Sequence, residues 1–472
     1  VSEPLQKRVL RFAQDDKGRP VPGVARPYHF PRFTRTTLAN GMSLVIAPVR
    51  DLPLVTLHAL VDAGATHDPR GQEGIALLTT ALMGEGTRTL DGPALADRFE
   101  RLGTTLEVGA DWDSASLECT GMSERFEAFV ALFADVVRHP GFAEREVQRL
   151  RSERLAELLE QRAEPRGLAD DMFARFVYAD GARYGTPAGG SEASVSSLTR
   201  EAIVAFHAAR YAPATTTLII AGDVDVATAE RVVAAHFGDW SGTPRATSDG
   251  TPPDAPTTRA PGIDLVVKAD APQSELRVGH VAIPRPHREW LRVHVMNAIL
   301  GGLFSSRINL NLREQHAYTY GAFSSVDPRR YAGTFEVATA VQSDVTAPAL
   351  REILNEITRM TEAEVGPDEL TLATAYLDGV FPIRYETTSA VAGALAKIAT
   401  FGLEDGYYDG YRALIRAMTT ADVLAGARVA LRPADTRIVV VGDPAQVTAP
   451  LEALALGPVR LWDATGAPLA GA

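Results

Sequence analysis

Thr215-Thr216-Thr217-Leu218-Ile219-Ile220-Ala221-Gly222-Asp223 and Thr436-Arg437-Ile438-Val439-Val440-Val441-Gly442-Asp443 are the two stretches that decide the fold. Each is a β-rich apolar run that stops at Gly-Asp, the pattern of a buried strand ending in a turn. Each is followed by a helix-like segment, 227–237 in the first case. Upstream of the first run, Asn40-Gly41 reads as a hairpin turn between the strands 36–38 and 43–46. A strand over 54–63 follows, then a buried helix over the apolar run 74–83 and helical spacing over 94–102. Residues 104–121 alternate like a hairpin around Asp111-Trp112-Asp113. The spacing then predicts helices over 124–137 and 143–161, the second long, charged and amphipathic.

Upstream of the second run the order repeats. Strands over 265–267 and 274–281 precede a helix over 290–300 that breaks at Gly301-Gly302. A hairpin flanks Asp327-Pro328-Arg329-Arg330, and helices follow over 348–363 and from 368 onward. One order of strands and helices occurring twice is the signature of a duplication. The expected fold class is α+β: two homologous domains, each a mainly antiparallel β-sheet packed with helices. The boundaries read as an extended Pro/Gly-rich arm over 1–33, a first domain over 34–240, a linker over 241–262 and a second domain over 263–472.

The chain has 472 residues, 46% apolar and 22% charged, the composition of an ordinary folded protein. A net charge of -12 excludes the basic footprint that a nucleic-acid partner requires. No apolar run approaches the ~20 residues of a membrane span. The one cysteine, Cys119, rules out an intramolecular disulfide and a multi-cysteine zinc site, and its alternating surroundings place it in a buried strand. Because the numbering opens at Val1, a removed signal peptide and a periplasmic location are expected, with the cytoplasm as the alternative.

Asp62-Ala63-Gly64-Ala65-Thr66-His67-Asp68-Pro69, followed by Glu73-Gly74-Ile75-Ala76-Leu77-Leu78-Thr79-Thr80-Ala81-Leu82-Met83-Gly84-Glu85-Gly86-Thr87, resembles the signature region of the pitrilysin, insulysin and mitochondrial-processing-peptidase family. The resemblance runs from about residue 35 to residue 447, and the nearest look is to bacterial members about half the length of insulysin. It implies two such domains forming half of a clamshell. In that family the helix carries His-x-x-Glu-His, two zinc ligands four residues apart and a general base. The corresponding positions here are Leu77, Thr80 and Ala81. Leu and Ala have no lone pair to offer, and a threonine hydroxyl is neither an ordinary zinc ligand nor a base near neutral pH. The family's third ligand falls at Glu157, with Leu150 where a second acid is expected seven residues earlier. Glu146 and Glu153 have that spacing in the wrong register, and Glu157 by itself reads as a solvated charge on a helix. His280 lies in a strand and His316 in a turn. His287, Glu289 and His294 lie close in sequence but lack a third ligating partner. No metal is expected in this chain.

Asn297-Ala298-Ile299-Leu300-Gly301-Gly302-Leu303-Phe304-Ser305-Ser306-Arg307-Ile308-Asn309-Leu310-Asn311-Leu312-Arg313-Glu314-Gln315-His316-Ala317-Tyr318-Thr319-Tyr320-Gly321 resembles the same family's C-terminal domain. There an Arg and a Tyr seven residues apart reach toward the zinc site, and Arg313 and Tyr320 match them. The long glycine-rich loop of the non-catalytic mitochondrial subunit is not evident; only Gly301-Gly302 stands out. The resemblance implies a non-catalytic, substrate-binding subunit, inactive alone, paired as a heterodimer with a homologous zinc-bearing chain that cleaves peptides or unfolded segments. In that arrangement zinc belongs to the partner, and Arg313 and Tyr320 serve its site in trans. The alternative is a structural protein of a larger assembly that keeps a vestigial peptidase fold. A free-standing peptidase would need a nucleophile or metal site for which the sequence shows no candidate.

Overall fold

The computed structural model describes residues 27–245 and 253–469. The proposed arm lies outside the described residues up to position 26, as do residues 246–252 of the linker; residues 27–33 carry neither helix nor strand. Within the compact unit that begins at Pro31, two six-stranded sheets are built, one from each copy of the repeated pattern. The first contains β1 (Thr34–Thr37), β2 (Ser43–Pro48), β3 (Leu54–Val61), β4 (Glu107–Ala110), β5 (Ala115–Met122) and β6 (Thr216–Gly222), in the order β1-β2-β6-β3-β5-β4. The second contains β7 (Ile263–Val267), β8 (Gln273–Pro284), β9 (Ala322–Val326), β10 (Ala332–Gln342), β11 (Arg437–Gly442) and β12 (Val459–Trp462), in the order β12-β7-β11-β8-β10-β9.

The two Gly-Asp strands explain their own sequences. β6 lies between parallel β2 and antiparallel β3, and β11 between parallel β7 and antiparallel β8. Both are interior strands, buried almost throughout, so their side chains are apolar without alternation. Gly222 ends β6 with φ +146°, and a Cβ there would meet the Leu54 carbonyl oxygen at 2.2 Å. Five strands of each sheet correspond. The sixth does not: β1 joins β2 antiparallel from upstream, whereas β12 joins β7 parallel from the far end of the chain.

The expected helices form, with two differences. Helix Trp290–Asn297 runs into a π-helical turn, Ala298–Gly302, so the backbone stays wound through the two glycines instead of breaking there. Gly301 is needed for close approach: a Cβ would lie 2.4 Å from the Ser324 hydroxyl of β9. Helix Glu144–Ala163 is less amphipathic than its sequence suggested, since only Glu146, Val147 and Leu158 are buried along its 20 residues. Helix Phe126–Arg138 shows the stronger pattern. Phe126, Phe129, Val130, Phe133 and Val137 form one stripe that packs into the first core, each such side chain worth about 1.5–3 kcal/mol on burial. No helix among the described residues is long and apolar enough to cross a membrane.

The copies exchange helices. Helix Pro165–Val177 lies between β5 and β6 of the first copy in sequence but packs on β8 and β11 of the second sheet, where Leu168, Met172, Phe173 and Phe176 cluster with Val266, Val281, Val439 and Val441. Helix Thr388–Phe401, from the second copy, packs on β3 and β6 of the first sheet. Polar side chains at matching strand positions anchor both exchanges. Buried Arg277 of β8 holds Asp170 at 2.6 Å, and His58 of β3 holds Glu118 at 2.7 Å, with Ser389 donating to the same carboxylate.

The two hairpin turns flagged in the sequence meet face to face. The Arg329 guanidinium lies 4.7 Å from the Trp112 ring and 4.5 Å from that of Tyr184. Arg330 donates to Asp62 at 2.7 Å, and its backbone N–H donates to Asp113 at 2.7 Å. Asp62 also holds Arg210 at 2.8 Å. Burial works against the Asp62 charge, but His67 and Arg330 outweigh it and hold the carboxyl well below its ordinary range.

Candidate functional site

Helix Ile75–Met83 begins where Asp68 accepts from the N–H groups of Gly74 (2.7 Å) and Ala76 (3.1 Å), while Arg183 pairs with the same carboxylate at 2.7 Å. An acceptor at this end satisfies donors that the first helical turn leaves unpaired. Burial pushes the Asp68 pKa up to about 6, against the pull of Arg183 and the two N–H groups. The helix packs on β4 and β5 and against helices Glu144–Ala163 and Arg200–Arg210. β4 has a neighbour on one side only, so the helix lies beside an open sheet edge.

Leu77 and Ala81, four residues apart, lie on the same half-buried face of this helix. Thr80 is buried. Its hydroxyl donates to the Ala76 carbonyl at 2.8 Å and bonds the Tyr211 hydroxyl at 2.7 Å, so it is committed to packing. Glu157 does not join them in a donor set. Its side chain is 63% exposed and ion-paired with Arg154 at 3.0 Å. Leu150 packs partly buried against the first core. Glu146 and Glu153 are both held by Arg149, at 2.7 and 2.9 Å, and Arg149 also reaches Glu85 at 2.6 Å. These residues do not fit a zinc ion: the helix face presents hydrocarbon and a committed hydroxyl, and the neighbouring carboxylates are neutralised by arginines.

The histidines are packed or superficial. His280 is buried in β8, accepts from the Arg432 N–H at 2.9 Å, and has its pKa lowered to about 4 by burial. His294 is likewise lowered to about 4, by burial first and then by Arg384 and Arg285. His287 accepts from the Glu289 N–H at 3.2 Å, and exposed His316 stacks on Tyr318 at 4.9 Å. Among the described residues no group of three or more His, Cys, Asp or Glu is placed to hold a metal. Cys119 is buried in β5, where burial pushes its thiol pKa up.

Arg313 and Tyr320 lie in the second copy, away from the helix Ile75–Met83 in sequence. Arg313 sits on the π-helical segment Leu310–Gln315, 37% exposed, with its guanidinium 4.6 Å from the ring of Phe304 and 3.4 Å from Glu314. The chain turns at Ala317 (φ +55°) and delivers Tyr320 just before the edge strand β9. Tyr320 is 93% exposed, the most exposed large apolar side chain among the described residues, and Phe304 and Phe323 are exposed nearby in sequence. Tyr320 is thus a donor presented to solvent just before the edge strand of the second sheet, while Arg313 is half-buried. The residues that join the copies, Asp62, Asp113, Tyr184 and Arg330, carry no local motif. The two turns that bring them together were visible; their meeting was not.

Two family descriptions match the chain: "Insulinase (Peptidase family M16)" over residues 50–186, and "Peptidase M16 inactive domain" over residues 197–377. An uncharacterized zinc protease of Mycobacterium bovis is 26% identical over 411 residues, 84% of this chain and 90% of the relative. One from Rickettsia felis is 24% identical over 350 residues, 73% of this chain and 82% of the relative. A solved peptidase M16 inactive domain from Pseudomonas fluorescens aligns with a TM-score of 0.81 at 24% identity, covering 87% of this chain and 98% of that one. A protease from Helicobacter pylori aligns with a TM-score of 0.80 at 19% identity, covering 87% and 100%. At these identities the structural likeness carries the fold alone.

Proposed function

Because the chain belongs to the insulinase-type peptidase family M16, we propose that it is a non-catalytic, substrate-binding subunit that pairs with a homologous zinc-bearing peptidase chain. In this reading the zinc, its ligands and the general base belong to the partner, and this chain supplies Arg313 and Tyr320 to the partner's site. Substrates are peptides or unfolded segments, held in part by adding a strand to an open sheet edge. The observation that carries the proposal is the contrast between the two motif regions of the chain. Leu77, Thr80 and Ala81 offer no metal ligand and no base, while Tyr320 stands 93% exposed with no packing role to explain it.

The division of labour is chemically coherent. Zinc held by the partner would supply the activated nucleophile, while the Arg313 guanidinium and the Tyr320 phenol would donate to the carbonyl oxygen on which negative charge develops. Such donors accelerate the reaction only if they are placed before it begins. Arg313, braced on Phe304, has that restraint.

The test is Arg313→Ala combined with Tyr320→Phe, assayed in the complex with the zinc-bearing chain. Loss of one oxyanion donor costs about 10²–10³-fold in turnover. The double variant is expected to lose at least that much while still forming the complex with an unchanged melting temperature. Turnover equal to that of the unaltered complex would reject the assigned roles.

A further inference from the structure

A cavity of about 560 Å³ opens where the exchanged helix Thr388–Phe401 meets β3, the Asp111 turn and the helices that follow in the second copy. Neither Arg313 nor Tyr320 lines it, and the argument for it is independent of the peptidase-subunit reading. Its deepest cation is Arg285, only 8% exposed. The guanidinium lies 4.9 Å from the Trp290 ring, 4.9 Å from that of Tyr407 and 5.9 Å from that of Phe401. Among the described residues no carboxylate lies within 4.0 Å of it. The four other buried arginines differ: Arg210 holds Asp62 at 2.8 Å, Arg277 holds Asp170 at 2.6 Å, Arg412 holds Asp378 at 2.7 Å, and Arg437 donates to the Ala260 carbonyl at 2.8 Å. A buried charge without a counter-ion is unfavourable, and aromatic faces offset only part of that.

Two more cations, Arg384 and Lys397, stand at the exposed rim of the same cavity, and neither has a carboxylate within 4.0 Å among the described residues. The pocket walls, then the charges of Arg384 and Arg285, lower the Lys397 pKa below its ordinary value. The Nε2 atom of buried His58, another lining residue, has no hydrogen-bond partner. Asp111 is the one lining carboxylate, and its Oδ1 is taken up by the N–H groups of Asp113 (2.8 Å) and Ser114 (2.7 Å). Three cations without a carboxylate partner among the described residues thus line one space walled by flat rings, and its volume is in the range of small-molecule sites.

We propose that this cavity binds a small organic anion with a flat apolar body. The anionic head lies among Arg285, Arg384 and Lys397, and the body packs along Trp290, Phe401 and Tyr407. An aryl carboxylate and an aryl phosphate share that chemistry, and the head group that binds more tightly identifies the source.

The experiment is titration of the full chain with 2-naphthoate, 2-naphthyl phosphate and neutral 2-naphthalenemethanol, followed by calorimetry and by tryptophan emission, with Trp290→Phe as the optical control. At least one of the two anions is expected to bind saturably and to quench the emission that Trp290→Phe removes. The neutral analogue is expected to bind at least about tenfold more weakly, as are the anions to Lys397→Gln and Arg384→Gln. Lys397 is exposed and holds no carboxylate, so its replacement should leave the melting temperature unchanged, whereas Arg384→Gln also removes a hydrogen bond to Tyr385. Absence of saturable binding by either anion at millimolar concentration would overturn the proposal. So would equal binding of the neutral analogue, or unchanged affinity in both rim variants.

Discussion

Replacing Tyr184 by Phe probes the joint between the two copies with little other disturbance. Tyr184 is fully buried, and its hydroxyl donates to Asp113 Oδ1 at 2.7 Å. The other carboxylate oxygen accepts the Arg330 N–H at 2.7 Å. Removing the hydroxyl keeps the ring and its edge contact with Trp112, so no sizeable cavity forms. The loss is one hydrogen bond to a buried carboxylate, worth about 1.5–3 kcal/mol.

The pH dependence is a sharper signature. Burial raises the Asp113 pKa despite the opposing hydrogen bonds from Tyr184 and Arg330. A carboxyl whose folded pKa lies above its unfolded value contributes most stability below the unfolded value and loses it as pH rises through the folded one. Without Tyr184 the folded pKa rises further. The cost of Tyr184→Phe should therefore be about 1 kcal/mol where Asp113 is protonated and about 2–3 kcal/mol at pH 8. Urea unfolding followed by far-ultraviolet dichroism, repeated across that range, measures it. In an Asp113→Asn background the same change should cost less and lose its pH dependence. A cost under about 0.5 kcal/mol at pH 8, or one that does not vary with pH, would refute the reasoning.

Arg277→Met should be the most damaging single change at the exchanged helix Pro165–Val177. The arginine is buried among Asp170, Glu275 and Glu336, and breaking such a buried pair costs about 3–5 kcal/mol in denaturant unfolding. Tyr211→Phe removes the 2.7 Å bond to Thr80 and should cost about 1 kcal/mol by the same measurement. Asp62, held below its ordinary pKa by His67 and Arg330 against burial, contributes stability that is present above its unfolded value of 3.8 and lost as pH falls through its folded one. Asp62→Asn should accordingly flatten the acid limb of a plot of melting temperature against pH.

Much of this architecture was legible because it is locally encoded. Alternation and apolar runs marked β3, β5, β6 and β11. Asn40-Gly41, Asp111-Trp112-Asp113 and Asp327-Pro328-Arg329-Arg330 marked the turns. What escaped is what depends on partners distant in sequence. Periodicity shows which face of helices Pro165–Val177 and Thr388–Phe401 is buried, but not that each buries it on the other copy's sheet. β12 is a short strand from the far end of the chain, with no counterpart in the repeat. The π-helical turn at Gly301 follows from the approach of Ser324, a contact outside the local window. The amphipathic reading of helix Glu144–Ala163 overestimated its packed face, because five of its charges pair within the helix, Arg149 with Glu146 and Glu153 and Arg154 with Glu157. The cations of the cavity lie at 285, 384 and 397, too far apart to form a motif.

The most direct test of the account is hydrolysis of an internally quenched fluorescent peptide by three preparations: this chain alone, a neighbouring His-x-x-Glu-His chain alone, and the two co-expressed. The account predicts silence from this chain and turnover by the pair that exceeds the neighbour's own and stops on chelation of zinc. Chelator-sensitive cleavage by this chain alone would contradict it.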